Sequence, residues 1–472
     1  MLTIAIGSSS ACAGGHGPAA GDSSSSSDDG PATTVTPTSD GATSSGSSDG
    51  GGVDSSGEGS SGAAPDMGGG TDDGCAAYDA FAAALPRAAD AQAREALLEA
   101  FLYDAWRSPH GLPVRCEGRM VVLARKGEEA TTLSVAGDFD GWDPLADPMA
   151  PLVDGFDLWV AEIAVAEPMT PSLYKLVRDQ SAYAADPWAR RYGYDRFGEY
   201  SLTDARAGAS HHERYPGFDD GIGTLQPRDV VVYVPADALS RAGLPVLVMH
   251  DGQNLFAPDA PFGGWQVGAA VDAAIASGEL PPLLVVAIDN TAARFDEYSP
   301  VTDDIGDGPV GGRADEYADF VAMGVVPFVD ARYPTAATAS SRATLGSSMG
   351  GLVSLYIAWR HPDVIARAGS MSGTLQWGQI GLDNDRILEL FEQSPPVGVW
   401  LYLDSGGDGP CPGGSDNYCV TVQMRDLLTQ LGWVLGDTLQ WLHAPGATHD
   451  EAAWAARLPG FLALLGPQLA GR

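Results

Sequence analysis

Positive charge is scarce in this chain. Against 62 Asp and Glu stand only 26 Lys and Arg, for a formal net charge of −36 over 472 residues. A phosphate backbone would be repelled, so nucleic acid is excluded as a partner. An anionic membrane surface is disfavoured for the same reason. The acidity suits a protein kept soluble after export. Long apolar runs are missing as well: no stretch reaches the roughly 20 consecutive apolar residues that a bilayer-crossing helix needs. Cysteine is sparse, with five in all, and no spacing among them resembles a zinc site. Pro18 to Gly74 has no aromatic residue and no Lys or Arg, but ten Asp and Glu. Such a segment has too little apolar surface to offset its ordering entropy and is expected to be a disordered tether.

What is present begins at the N-terminus. The segment 1–11, MLTIAIGSSSA, is short and apolar, and Cys12 follows. With the tether 12–74 behind it, this resembles the cleavage site of a bacterial lipoprotein. The resemblance implies lipid attachment at Cys12, and a cell-envelope or secreted protein. The competing reading is an incidental cysteine in a disordered terminus. If Cys12 carries lipid, four cysteines remain, an even number. We expect disulfides Cys75–Cys116 and Cys411–Cys419, which suit an oxidising compartment. The alternative is four free thiols.

Residues 75–116 form a helical segment. Ala76 to Trp106 has helical spacing, with Leu97, Phe101 and Leu102 on one face. Across 117–205 the pattern changes to short alternating runs, MVVLAR, TTLSVAG, LWVAEIAV and LYKLVRD, separated by turns. This predicts a small antiparallel sandwich. The strings VAGDFDGWDP, YKLVRD and ADPWARRYGYDRFGEYS resemble the early-set, glycogen-binding type of immunoglobulin-like β-sandwich. That resemblance implies sugar stacking on Trp142, Trp159 and Trp188, with Lys175 as a polar contact. Alternatively these Trp fill the core.

Residues 206–472 read as α/β. Apolar runs at 230–235, 245–250, 283–288, 342–346, 366–372 and 398–405 alternate with helical stretches at Trp265–Ser277, Asp315–Ala331, Leu352–His361 and Val420–Leu431. This predicts a mostly parallel sheet covered by helices on both faces. At one strand end stands Gly346-Ser347-Ser348-Met349-Gly350-Gly351. A sharp strand-to-helix turn would lift Ser348 into an exposed, strained position, with Gly346 and Gly350 where strand and helix come closest.

A serine needs a base. Of the eight His, His449 lies in a loop before the last helix, in the order Ser, Asp, His. It is preferred over His443, whose place in a strand suits a structural role. His250 is expected to order its loop. For the carboxylate that orients His449 we prefer Asp408, with Asp404 the alternative and Asp416 a third candidate. Backbone N–H groups of Met349, Gly252 and Gln253 would form an oxyanion hole. The Asp-rich loop lacks the spacing of a calcium loop. No metal and no cofactor are expected.

The strings MHDGQNLF, FGGWQV, LGSSMGGLVSLYIAWRHPDV, SMSGTLQW and THDEAAW are similar to the enterochelin esterase and esterase D-like family, over roughly residues 226 to 465. The resemblance implies an α/β hydrolase that cleaves carboxylic esters through an acyl-enzyme. The substrate would be a siderophore-like lactone, or an acyl or feruloyl ester on a carbohydrate. Trp265, Arg294 and Trp377 are then expected to line the pocket. Arg294 would hold an anionic substrate or pair with Glu297. The rival functions are a cell-surface glycan-binding protein with a silent hydrolase domain, and an acyltransferase.

Overall fold

The computed structural model describes residues 74–166, 169–221, 223–411 and 414–469. The signal-like segment 1–11, Cys12 and the tether as far as residue 73 lie outside the described residues. Eight strands build the α/β part: β1 (His211–Phe218), β2 (Arg228–Val234), β3 (Val246–His250), β4 (Leu284–Ile288), β5 (Arg342–Ser347), β6 (Arg367–Met371), β7 (Trp400–Ser405) and β8 (Leu439–His443). Their spatial order is β1-β2-β4-β3-β5-β6-β7-β8. The pairs β1–β2 and β2–β4 are antiparallel. From β4 to β8 every pair is parallel. Parallel strands need crossovers, and these cover both faces of the sheet.

The pleat divides the apolar runs between two cores. On β3, Val246 and Val248 face one core while Leu247 and Met249 face the other. The first core takes Leu352, Leu355 and Ile357 from one helix and Met424 and Leu428 from another. The second takes Val267 and Val271, with Trp454, Leu458 and Phe461. Burying each such side chain contributes on the order of 1.5–3 kcal/mol, so the strands read as continuous apolar runs. This is the α/β hydrolase arrangement expected from the sequence.

The helices that matter below are α1 (Cys75–Ala84), α2 (Ala91–Arg107), α3 (Val267–Ser277), α4 (Met349–Arg360), α5 (Tyr418–Gln430) and α6 (Glu451–Leu469). The stretch expected as one helix from Ala76 to Trp106 is two. Pro86 lies in a short 3₁₀ turn, and Asp90 restarts the helix by accepting the Ala93 N–H at 2.8 Å. Disulfides join Cys75 to Cys116 and Cys411 to Cys419, the expected pairs.

Residues 114–202 contribute two β layers. One contains Arg119–Ala124 and Trp159–Ala164; the other contains Leu133–Gly137, Leu173–Arg178 and Gly198–Leu202. Met120, Val122, Leu133, Val135, Ile163 and Tyr174 fill the space between them. The second layer does not end there. It continues through Arg191–Asp195, which pairs with β1 at Tyr192–His212, into the α/β sheet. A free edge on either side is thereby removed. Buried Glu213 adds to the junction, accepting from Arg190, Arg191 and Tyr333. Lys175, expected as a polar sugar contact, is instead buried and donates to the Phe197 carbonyl at 3.0 Å.

Candidate active site

Strand β5 ends at Ser347, and α4 begins at Met349. Ser348 between them has φ 54° and ψ −120°, a conformation costly for any residue with a side chain. Tertiary bonds hold it there. Its N–H donates to the Met371 carbonyl on β6 at 3.0 Å, and its carbonyl accepts from Thr374 N–H at 3.0 Å. Glycine is required on either side. A Cβ on Gly346 would fall 2.5 Å from the Gly350 backbone, and one on Gly351 would fall 2.6 Å from Ser370 Oγ. The Ser348 hydroxyl is half-buried and hydrogen-bonded to Thr374 Oγ1 at 3.1 Å. Met349 N–H occupies the first helical position, where it has no intrahelical acceptor.

His449 lies just before α6. Its Nδ1 meets Asp416 Oδ1 at 2.6 Å, and its ring packs edge-on against Trp454 at 5.0 Å. The imidazole is 38% exposed, whereas the Asp416 side chain is only 2% exposed. Burial alone would raise the Asp416 carboxyl, but hydrogen bonds from His449, Ser372 and the Gly406 N–H outweigh it and hold its pKa below the ordinary value. The expectation for the carboxylate is corrected here. Asp408 is exposed, its backbone bonded to Ser415, so its carboxylate stands out toward solvent rather than on His449. Asp404 is fully buried in β7 and bound to Arg457 at 3.2 Å and Tyr402 at 2.9 Å. Burial, only partly offset by Arg457, pushes the Asp404 carboxyl up to about 6. The loop after β7, closed by Cys411–Cys419, carries the chain past both and brings Asp416 back to His449.

The loop after β3 borders the elbow. A Cβ on Gly350 would lie 3.2 Å from Asp251 Oδ2. Gly252 is buried, and a Cβ there would fall 2.9 Å from the Ile288 backbone carbon as well as 2.5 Å from Asp289 Oδ1, which excludes a side chain. Gln253 is exposed and accepts the Asn290 N–H at 3.2 Å. His250 is buried between Tyr317 at 2.9 Å and Thr344 at 3.0 Å. Burial lowers its pKa to about 4, so it is a neutral bridge.

Three pocket expectations change. Arg294 does not pair with Glu297. It grips Asp251 with two bonds of 2.6 and 2.8 Å, while Glu297 is taken by buried Arg228 at 2.9 Å. Trp377 is only 2% exposed and donates to the Val301 carbonyl at 2.8 Å, so it is core; the more exposed Phe295 stacks on it at 5.8 Å. Trp265 is also buried, against Trp454 at 5.9 Å. Sequence reasoning missed Ser372, Thr374 and Arg457. Only Arg457 carried a signal, as a lone charge on the apolar face of the last helix between Trp454 and Phe461.

A family model named Esterase, described as "Putative esterase", matches residues 224–465, about half of the chain. The uncharacterized protein YbbA of Bacillus subtilis (strain 168) is 25% identical over 158 residues, which are 31% of this chain and 57% of that protein. The chain spans about half the length of the curated relatives it matches. Among solved structures, the enterobactin esterase FES from Shigella flexneri is 18% identical, over 74% of this chain and 93% of that one, with a TM-score of 0.41. An IroE-like serine hydrolase from Shewanella oneidensis is 17% identical, over 55% and 80%, with a TM-score of 0.43.

Proposed function

The chain belongs to this esterase family, and from that premise we propose that it is a carboxylic ester hydrolase working through an acyl-enzyme on Ser348. The observation that carries the reading is a conjunction. A serine sits in a strained strand-to-helix turn, and a half-exposed imidazole is held by a buried carboxylate on the neighbouring loops. His449 is the base, and Asp416 fixes its tautomer by accepting from Nδ1, which leaves Nε2 free to take a proton.

In the first step the Ser348 hydroxyl turns from Thr374 to His449 Nε2 and attacks the ester carbonyl. Its proton moves to Nε2, and Asp416 stabilises the imidazolium through Nδ1–H. The oxyanion is received by Met349 N–H and by N–H groups of the Gly252–Gln253 loop. Collapse expels the alcohol, which takes the proton from Nε2. A water, deprotonated by His449, then releases the acid. Siderophore-like lactones and acyl or feruloyl esters on carbohydrate are the substrate classes to compare. Arg294 is committed to Asp251, so its role is to hold the loop after β3 against the elbow. The two disulfides favour an exported protein, and lipid attachment at Cys12 belongs to the same proposal. Residues 117–205 are read as an early-set-like sandwich attached along the hydrolase sheet.

Turnover of a p-nitrophenyl acyl ester tests the reading: Ser348→Ala, with unchanged circular dichroism, is expected to abolish it. Retained turnover overturns the nucleophile. If wild-type protein turns over neither this ester nor a siderophore-like lactone nor a feruloyl-carbohydrate ester, the proposal gives way to the glycan-binding reading.

A further inference from the structure

Behind the acid–base pair lies a buried polar group that the reaction scheme does not use. Ser372 follows β6 and is completely buried. Its φ is 49°, in the left-handed region, and Asn417 Nδ2 holds its carbonyl at 2.8 Å. Three side chains converge on its hydroxyl. Trp454 Nε1 lies at 3.2 Å, Arg457 Nη2 at 2.8 Å and Asp416 Oδ2 at 2.7 Å. The direction of the hydroxyl proton follows from the chemistry of these partners. An indole N–H and a guanidinium can only donate, so they fill the two lone pairs. The single hydroxyl proton must therefore go to Asp416.

The consequence for the carboxylate is specific. Oδ2 is occupied by Ser372 and the Gly406 N–H, which leaves Oδ1 for His449. Arg457 is meanwhile committed to Asp404 through Nε, with Nη2 3.9 Å from Asp416 Oδ2. Were the hydroxyl absent, the guanidinium would be the nearest donor able to take Asp416. It would then compete with the imidazole for the same carboxylate.

We propose that Ser372 is a positioning residue for the reaction: its hydroxyl directs Asp416 Oδ1 to His449 and holds the Arg457 charge on Asp404. This rests on the Ser348–His449–Asp416 reading above. Trp454 joins the two halves of the device, since it donates to Ser372 and also supports the His449 ring. Arg457 and Trp454 stand three residues apart on one face of α6, so one helix presents both to the same hydroxyl.

The test compares Ser372→Ala and Ser372→Gly with wild type on a p-nitrophenyl acyl ester, with Ser348→Ala alongside. Glycine is the fold-safe variant, because a left-handed backbone suits it. The expected result is a kcat lower by about tenfold or more, the lower end of what one hydrogen bond to a charged group contributes, with KM within about twofold. A role confined to holding the core together would change melting temperature and active fraction but leave kcat per labelled active site intact. If either folded variant turns over at the wild-type kcat per site while Ser348→Ala is dead, the positioning role is overturned and the triad reading stands. If Ser348→Ala keeps its turnover, both fall.

Discussion

Replacing Asp416 by Asn changes one oxygen into an NH₂ group and nothing in shape. The Asp416 carboxylate receives three donors, from His449 Nδ1, Ser372 Oγ and the Gly406 backbone N–H. An amide offers one acceptor oxygen only. If that oxygen faces Ser372 and Gly406, the NH₂ meets His449 and forces Nδ1 to accept. The ring proton then sits on Nε2, where it cannot receive the Ser348 proton. If the amide is flipped, its NH₂ meets the Gly406 N–H, and a buried donor is left facing a donor. The first arrangement predicts a loss of about 10³–10⁴ in kcat, the scale seen when an acid of this kind is amidated elsewhere, or about 4–5.5 kcal/mol in barrier. Asp408→Asn is the paired control. Its carboxylate is exposed and away from the imidazole, so kcat stays within about twofold of wild type. Steady-state kinetics on a p-nitrophenyl acyl ester, normalised to titrated active sites, reads both. An Asp416→Asn enzyme within about tenfold of wild type would refute the reasoning. So would an Asp408→Asn enzyme as damaged as its partner.

Three further outcomes are expected. Asp404→Asn removes the counter-charge of buried Arg457, so urea unfolding should show a loss of about 3 kcal/mol or more; a change under about 1 kcal/mol would show that Asp416 takes over. Opening the Cys411–Cys419 loop with the double Ser variant should lower kcat by about threefold to tenfold with KM little changed, because Asp416 lies inside that loop. Wild-type kcat would mean that the bonds from the Ser372 and Ser405 hydroxyls and the Gly406 N–H fix Asp416 without the disulfide. His250 is neutral when folded, with a pKa near 4 against 6.5 in the unfolded chain. Its contribution is therefore complete above about 6.5 and lost as pH falls through 4, about 3 kcal/mol in all. Chemical denaturation between those pH values should show that slope in wild type and not in His250→Asn.

The strands and main helices were legible because each parallel strand is buried on both faces, which leaves an unbroken apolar run such as Val246 to Met249. The elbow was legible because strand and helix close up between Gly346 and the Gly350 backbone, and that leaves the readable Gly346–Ser348–Gly350 spacing. The carboxylate was not. Asp404 lies in β7 and Asp408 and Asp416 in the loop that follows it, and the choice among them depends on how a disulfide-closed segment folds back. Arg294 went astray similarly: Asp251 lies 43 positions away in sequence, and no local pattern predicts that Arg228 will take Glu297 first. Trp265 and Trp377 are large aromatics near the site, and sequence cannot distinguish an aromatic lining a pocket from one packed beneath it. The sheet's continuation from Tyr192 to His212 is a long-range pairing of short strands, invisible to periodicity.

The central claim is that Ser348 is an activated nucleophile. A fluorophosphonate probe, followed by proteolysis and mass mapping of the adduct, tests it most directly, because only a serine served by a base reacts at a useful rate. One adduct per chain on Ser348 is predicted, absent in Ser348→Ala and formed far more slowly in His449→Ala. An adduct on another serine, or folded wild-type protein that takes up no probe, would contradict it.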